Sequence, residues 1–357
     1  VNKVRLVFLN LVIFAASVLA DEPRPINEFQ VIGTHNSYHI APPAEIAQMI
    51  STFYQGSGEA LDYTHRSLFE QFELLGIRQI ELDIFADTKG GRYANPLALR
   101  MAGGMGIKVP PHDPAGALTK PGFKVLHIQD IDYGTTVYTL QNALTEVAKW
   151  SRTKPQHFPI LVLLEVKDKS HSPITVKPER IEVGHLETLE KEILSVFKKG
   201  EILTPDDVRG DFATLSEAIQ KRSWPTVKEA AGKVMFAMDN EDRIRDLYLQ
   251  GHETLKDRLL FVSVPEKHPA AAFVKLNDPV GGFERIQRLV KAGYIVRTRA
   301  DAGTHEARKN DATRRDRALE SGAQFISTDY PEADERLSKY KVHFGEGVIT
   351  RPNAVAR

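Results

Sequence analysis

The chain has 357 residues, 47 basic and 47 acidic, a formal net charge of zero and no cysteine. The balanced charge argues against a nucleic-acid binder, and the missing cysteines exclude disulfide staples and thiolate metal sites, so core burial alone must hold the fold. This length suits one large barrel or two ordinary domains.

In chain order, residues 1–20 (VNKVRLVFLNLVIFAASVLA) set Lys3 and Arg5 ahead of an apolar run and end with Val18 and Ala20 at signal-peptidase spacing. This is the pattern of a secretory signal peptide and predicts a secreted or periplasmic protein. The apolar run is short for a bilayer span. Its removal takes away two positive charges and no acidic one, leaving −2. Residues 21–337 then read as one domain, with 338–357 as a C-terminal tail.

Short apolar runs predict strands at 29–34, 78–84, 124–130, 160–166, 233–238, 259–264, 294–299 and 324–328. Amphipathic segments at 139–150, 185–197, 283–293 and 312–322 predict helices between them, the last two ending at Gly293 and Gly322. Segment 88–122 is about one-third Gly or Pro and reads as a long loop in place of one helix, a length that is usually functional or disordered. Eight strands alternating with helices, without a Pro/Gly/Ser-rich linker, predict an α/β fold: a single (β/α)8 barrel, irregular at that loop.

Active sites of such barrels lie at the C-terminal ends of the strands. The first predicted strand ends in GTHNSYH (33–39), which alone reads as a polar turn. His35 and Asn36 end it, Glu81 and Asp83 lie on the second, His127, Gln129 and Asp130 on the third, and Glu165 and Lys167 on the fourth. Glu81/Asp83 and Glu165/Lys167 are two apart, so each pair shares a strand face. Leu82 and Val166 between them are apolar and face the helices, which turns the charged members inward. Inward charges must be paired or bind metal. Asn36, Glu81, Asp83 and Glu165 make an all-oxygen set suited to Ca2+ or Mg2+ rather than zinc. Two histidines beside it, with Lys167 near enough to hold an anion, point to metal-assisted phosphoryl transfer with acid–base groups. His39 reads as a supporting or structural residue. Arg297 and Arg299 share an inward face of the seventh strand, where they either contact an anionic substrate or neutralise Asp301 and Asp329.

The segments GTHNSYH (33–39), ELDIFAD (81–87), VLHIQDI (125–131) and LLEVKD (163–168), in this order, resemble phosphoinositide-specific phospholipase C, in particular its secreted, calcium-dependent microbial branch. FVSVPEKHPAAAF (261–273), YIVRTRAD (294–301) and GAQFISTDYP (322–331) extend the resemblance over roughly residues 28–335. It implies a Ca2+ cofactor on Asn36, Glu81, Asp83 and Glu165, phosphate contact by His35, and protonation of the leaving diacylglycerol oxygen by His127. One carboxylate, Glu81 or Glu165 among them, serves as general base toward the inositol 2-hydroxyl. Lys167, Arg297 and Arg299 hold the substrate. The substrate it implies is phosphatidylinositol at a membrane surface, cleaved to diacylglycerol and an inositol (cyclic) phosphate, with neither nucleic acid nor an obligate protein partner involved. The metal-independent branch carries an arginine near Asp83, and this chain does not. Two alternatives stand beside this reading: a metal-dependent glycerophosphodiester phosphodiesterase, which usually carries His-Arg-Gly where this chain has His35-Asn36-Ser37, and a catalytically silent inositide-binding barrel.

Overall fold

The computed structural model describes residues 24–53, 57–170 and 172–356. The signal peptide expected at 1–20 lies outside the described residues.

Ten strands form one sheet: β1 (Phe29–Thr34), β2 (Gln79–Phe85), β3 (Lys124–Val125), β4 (Ile160–Lys167), β5 (Val234–Met238), β6 (Leu260–Val262), β7 (Phe273–Lys275), β8 (Ile295–Arg299), β9 (Phe325–Thr328) and β10 (Thr350–Pro352). Eight of them run parallel in the order β6-β5-β4-β2-β1-β9-β8-β7, and a parallel bridge between Ser263 and Phe273 joins the ends into a barrel. Helices cover its outer face. They start where the sequence supplies a cap: Ser67 and Glu70 form a reciprocal capping box at Leu68–Leu74, and the Thr139 hydroxyl accepts from Asn142 N at Leu140–Thr153, each cap contributing about 1 kcal/mol.

Three features differ from the sequence reading. The strand expected at 124–130 is not a barrel stave. Only 124–125 pair, antiparallel to Ile84 and Phe85, and the chain then turns, with Asp130 at a positive φ of 68°. The eighth stave is β7, three residues behind an Ala-rich turn, too short for alternation to reveal. Within the long loop 88–122, Leu97–Gly104 is helical.

The β1/β2 seam is staggered. Gly33–Gln79 is the single register pair between them among the described residues, whereas β2 and β4 share seven. At that crossing a Cβ on Gly33 would lie 2.0 Å from Gln79 Oε1 and 2.6 Å from Gln79 Cβ, so only glycine fits. Above it Ser37 continues the ladder. Its N–H donates to Glu81 O at 2.9 Å, and its hydroxyl accepts from Glu81 N at 2.8 Å. Gln71, fully buried, donates to Ser37 O at 2.6 Å and to Arg66 O at 2.7 Å. Higher still, β3 covers the free edge of β2. Below, β10 covers the free edge of β1, antiparallel through Phe29–Pro352, Gln30–Arg351 and Val31–Thr350. Within the 338–357 segment, Tyr340 and Val342 are buried as well.

Gly33→Ala forces Gln79 and the seam apart and is expected to cost about 1–3 kcal/mol, the usual scale of overpacking. Urea denaturation reads it as a lower midpoint, and an unchanged midpoint would show that the seam yields freely.

Candidate active site

Staggering the seam leaves the upper end of β2 open toward β1, and the residues after each strand converge there. Glu81, Asp83 and Glu165 present carboxylate oxygens within 4.8 Å of one another, because Asp83 and Glu165 are register partners on β2 and β4 and Glu81 lies two residues below on the same face. Asn36 follows β1 in a left-handed turn (φ 43°) and donates from Nδ2 to the Tyr63 hydroxyl at 3.0 Å. Its Oδ1, like Oδ1 of Asp83, is buried with no donor. Unpartnered buried oxygens normally indicate a missing partner, and an oxygen-only set beside clustered carboxylates fits a hard divalent cation. The sequence-predicted ligands Asn36, Glu81, Asp83 and Glu165 therefore meet on one rim.

Cations of the protein hold these acids. Lys167 Nζ stands 2.5 Å from Asp83 and 3.5 Å from Glu165, and donates to His127 O at 3.1 Å. Arg297 pairs with Glu81 and donates to Ser327 Oγ at 3.0 Å and to Asn277. With its side chain 1 % exposed, Arg297 faces Glu81 rather than open space. Burial pushes the Glu81 carboxyl up to about 7, with Arg297 opposing and Asp239 adding. Burial likewise pushes Asp83 up; Lys167 opposes, and Glu165 and Glu81 add.

Each histidine is backed by an aspartate. His35 Nδ1 lies 2.8 Å from Asp329 Oδ1. Burial would raise Asp329, but His35 and Arg299 hold it well below the usual carboxylate range, so it accepts and Nδ1 carries the hydrogen. Arg299 Nη1 then donates to the bare Nε2 of His35 at 3.2 Å, while Nη2 donates to Asp329. Burial and Arg299 press His35 well below its ordinary value, so it is neutral. Its Nε2 is 3.6 Å from Glu81 Oε1.

His127 Nδ1 lies 2.7 Å from Asp132 Oδ2, and His39 Nε2 meets the same oxygen at 2.8 Å. His39 Nδ1 is 2.9 Å from Tyr63 O. Both partners of His39 are acceptors, so both ring nitrogens carry hydrogen and His39 is an imidazolium, stacked at 4.3 Å on Tyr63. Burial would lower it, but Asp132 and the Tyr63 carbonyl outweigh burial and hold it above its ordinary value. His127 is lowered by burial, against Asp132 and with Lys167 adding. His39, His127 and Asp132 also lie at metal-ligand distances, but these hydrogen bonds account for their geometry.

Asp132 and Asp329 were not among the expected site residues. Asp329 is the first residue past β9, the rim position that His35 holds on β1, which is a usable signal. Asp132 lies two residues past the strand expected at 124–130, and its link to His127 and His39 comes from the turn that replaces that strand. Gln129 and Asp130 face away from the acids and tie down neighbouring loops through Lys169 O, Leu97 N and Val176 N.

Fold and rim together define a (β/α)8 barrel whose mouth gathers oxygen donors suited to a hard cation beside two histidine–aspartate pairs. The family model for Ca2+-dependent phosphoinositide phospholipase C matches residues 25–354; the chain belongs to this family. It is a calcium-dependent phospholipase C that cleaves phosphatidylinositol. Among solved structures it is similar to a calcium-dependent phosphoinositol-specific phospholipase C from Pseudomonas sp. in a myo-inositol complex, at 15% identity over 92% of this chain and 96% of that one, TM-score 0.54. It is also similar to the Ca2+-dependent enzyme from Streptomyces antibioticus, at 15% identity over 86% and 95%, TM-score 0.50. These likenesses bear on the fold. A search of curated proteins found no match.

Two outcomes are expected. Because burial holds the Glu81 carboxyl up to about 7, calcium must displace a proton there. Affinity therefore rises from pH 6 to pH 8, and calorimetry in buffers of different ionisation enthalpy detects proton release; a pH-independent affinity would refute the proton on Glu81. His39→Ala leaves Asp132 charged, buried and short of a partner, at a cost of about 3–5 kcal/mol. Because the folded pKa of His39 is raised, the stability it contributes is complete below the unfolded value near 6.5 and fades as pH rises through the folded value. Denaturation curves of wild type and variant must converge in that direction.

Proposed function

We propose that Asn36, Glu81, Asp83 and Glu165 hold the calcium ion and that the two aspartate-backed histidines run an in-line displacement at phosphorus. The observation that carries this is the pair of unpartnered oxygens at Asn36 and Asp83 between two His–Asp pairs: His35 Nε2 stands 3.6 Å from Glu81, and Lys167, which holds Asp83, donates to His127 O. The inositol 2-hydroxyl attacks, its bond to phosphorus forms, and the bond to the glycerol oxygen breaks. A nucleophile already in place supplies on the order of 7–11 kcal/mol of the barrier. A calcium ion held by these four residues would supply positive charge that lowers the hydroxyl pKa and offsets charge on the phosphate.

His127 serves as the acid. In the free enzyme its Nδ1–H faces Asp132 and Nε2 is bare, so it takes up a proton at Nε2 as the anionic phosphodiester arrives and raises its pKa. It then delivers that proton to the leaving oxygen. Lys167, held by Asp83 and Glu165 at the mouth of the site, is placed to meet a phosphate oxygen. Arg297 positions Glu81, and Arg299 steadies His35 and Asp329. Glu81, poised near neutrality, serves as base. The bare Nε2 of His35 favours a second reading, in which His35 takes the 2-hydroxyl proton and then, as an imidazolium against Asp329, donates to a phosphate oxygen. Residues 1–20 support export to the periplasm or the medium.

His127→Ala is expected to lose at least ~10²-fold on phosphatidylinositol, the scale of general acid catalysis. The loss shrinks on an analogue with a nitrophenol leaving group, and equal losses on both substrates would contradict the role. Phosphorus NMR of the products, with and without EGTA, tests the reaction itself, and full turnover in excess EGTA would contradict the calcium requirement.

A further inference from the structure

The mechanism above leaves one buried acid unused. Asp301, two residues past the end of β8, is fully buried. Its Oδ1 accepts from Asp329 N at 2.8 Å, and its Oδ2 accepts from the Thr328 hydroxyl and from the Tyr340 hydroxyl, the latter at 3.2 Å. Asp329 is the carboxylate that backs His35, so Asp301 holds the peptide from which that carboxylate reaches the ring. Tyr340 belongs to segment 338–357, which the sequence presents as a tail. It is buried against the barrel instead: its ring meets Tyr330 edge-on at 6.0 Å, and Val342 N donates to Tyr330 O at 2.9 Å.

Charge balance singles this acid out. Asp301 and Asp329 are both enclosed, and the guanidinium beside them, Arg299, donates to Asp329 and His35. The other charged groups around the pair are engaged elsewhere. Glu306 accepts from Ala302 N at 3.0 Å, Arg308 pairs with Asp62 at 2.8 Å, and Arg315 lies over the Tyr340 ring at 5.8 Å. His65, which donates to His35 O at 2.8 Å, is neutral because burial holds it at about 4. Burial pushes the Asp301 carboxyl up to about 7, with Asp329 adding and Thr328, Asp329 N and Arg299 opposing. The Tyr340 hydroxyl suits either state, lying 3.1 Å from Ala300 O and 3.2 Å from Asp301 Oδ2. To an ionised Asp301 it donates; from a protonated one it accepts, and its own hydrogen turns to Ala300 O. The carboxyl can therefore change charge while its neighbours stay in place.

We propose that Asp301, held by Thr328 and by Tyr340 of the C-terminal segment, is a positioning residue of the reaction: it fixes the Asp329 backbone behind His35 and, by losing or gaining a proton, sets the negative charge that supports that ring. It acts through Asp329 and Arg299. An ionised Asp301 offsets the Arg299 charge that presses on His35, so positive charge on the ring costs less as it meets the phosphate. A protonated Asp301 withdraws that support. The inference rests on the reading of His35 as a group that meets the phosphate.

The test follows the carboxyl and the rate separately, on the full chain. In infrared spectra, a protonated-carboxyl band that Asp301→Asn removes should be present at pH 6 and fade by pH 8. Kinetics use a short-chain phosphatidylinositol at saturating calcium, so that proton release from the metal ligands does not enter. Asp301→Asn should lie within about twofold of wild type in kcat/KM at pH 5.5 and on the order of tenfold below it at pH 8, the effect of a charge worth about one pKa unit. Tyr340→Phe keeps the ring and takes a donor from the anion, so the pH at which its rate rises should move up, by up to about one unit. A loss of the same size at every pH in both variants would overturn the proposal, as would a band absent at pH 6 or undiminished at pH 8. Where Asp301→Asn does not fold, the Tyr340→Phe profile decides, and one that coincides with wild type overturns the proposal. His35→Ala tells this failure from failure of the underlying reading. Parallel profiles beside an inactive His35→Ala overturn the positioning role alone, whereas a His35→Ala that keeps wild-type turnover removes His35 from the chemistry and the coupling with it.

Discussion

The close crossing of β1 and β2 at Gly33 and Gln79 is the constraint on which the rest of this site depends. Regular parallel pairing along both strands would leave no room above β2 for the turn that carries His127 and Asp132. Because the strands touch at one register pair, Ser37 completes the ladder with its own backbone and hydroxyl, and the chain after β1 is drawn over the top of β2. His35 and Asn36 then face Glu81 and Asp83 across the seam. The polar sequence THNSYH is thus both a turn and a substitute for sheet hydrogen bonds, with two of its members left over for chemistry.

Electrostatic matching is the second organising theme. Burying several carboxylates in one rim is costly unless cations accompany them. Lys167, Arg297 and Arg299 each take one acid or more, Lys275 does the same for Asp239 at 2.7 Å, and the His39 imidazolium does so for Asp132. Only part of this balance is permanent. Arg297 and His39 are enclosed with their partners, whereas Lys167, at the mouth, holds acids that a divalent ion would claim. The distinction separates residues that keep the site's shape from residues that exchange partners during a reaction cycle.

Much of this was legible in the sequence, for physical reasons. Runs such as ILVLLEVK and QIELDIF are long, apolar and periodic, so their strands could be read directly, and two-residue spacing placed the carboxylates Glu81, Asp83 and Glu165 on inward faces. The turn KVLHIQD was misread because it alternates like a strand while its backbone pairs at two residues only. The stave FVK was missed because three residues carry no period. Asp132 and the His39 charge were invisible for a different cause: their meaning arises from long-range contacts, Tyr63 O to His39 and His39 to Asp132, that no local pattern encodes. The arginines of β8 were correctly turned inward, and what occupies each of them is a tertiary fact.

The pairing of β1 with both β9 and β10 also bears on how the chain reaches this state. Strand β1 is made early and finds these partners far later in the chain, at Phe325–Thr328 and Thr350–Pro352. Contacts of such sequence separation form slowly. Until β9 emerges, β1 is open along one edge, and until β10 emerges Phe29–Val31 stay open along the other, a template for pairing with another chain. Barrel closure is therefore a terminal event of biogenesis, and a chain cut short before residue 350 would keep every catalytic side chain named above yet leave the first stave uncovered on the face opposite the rim.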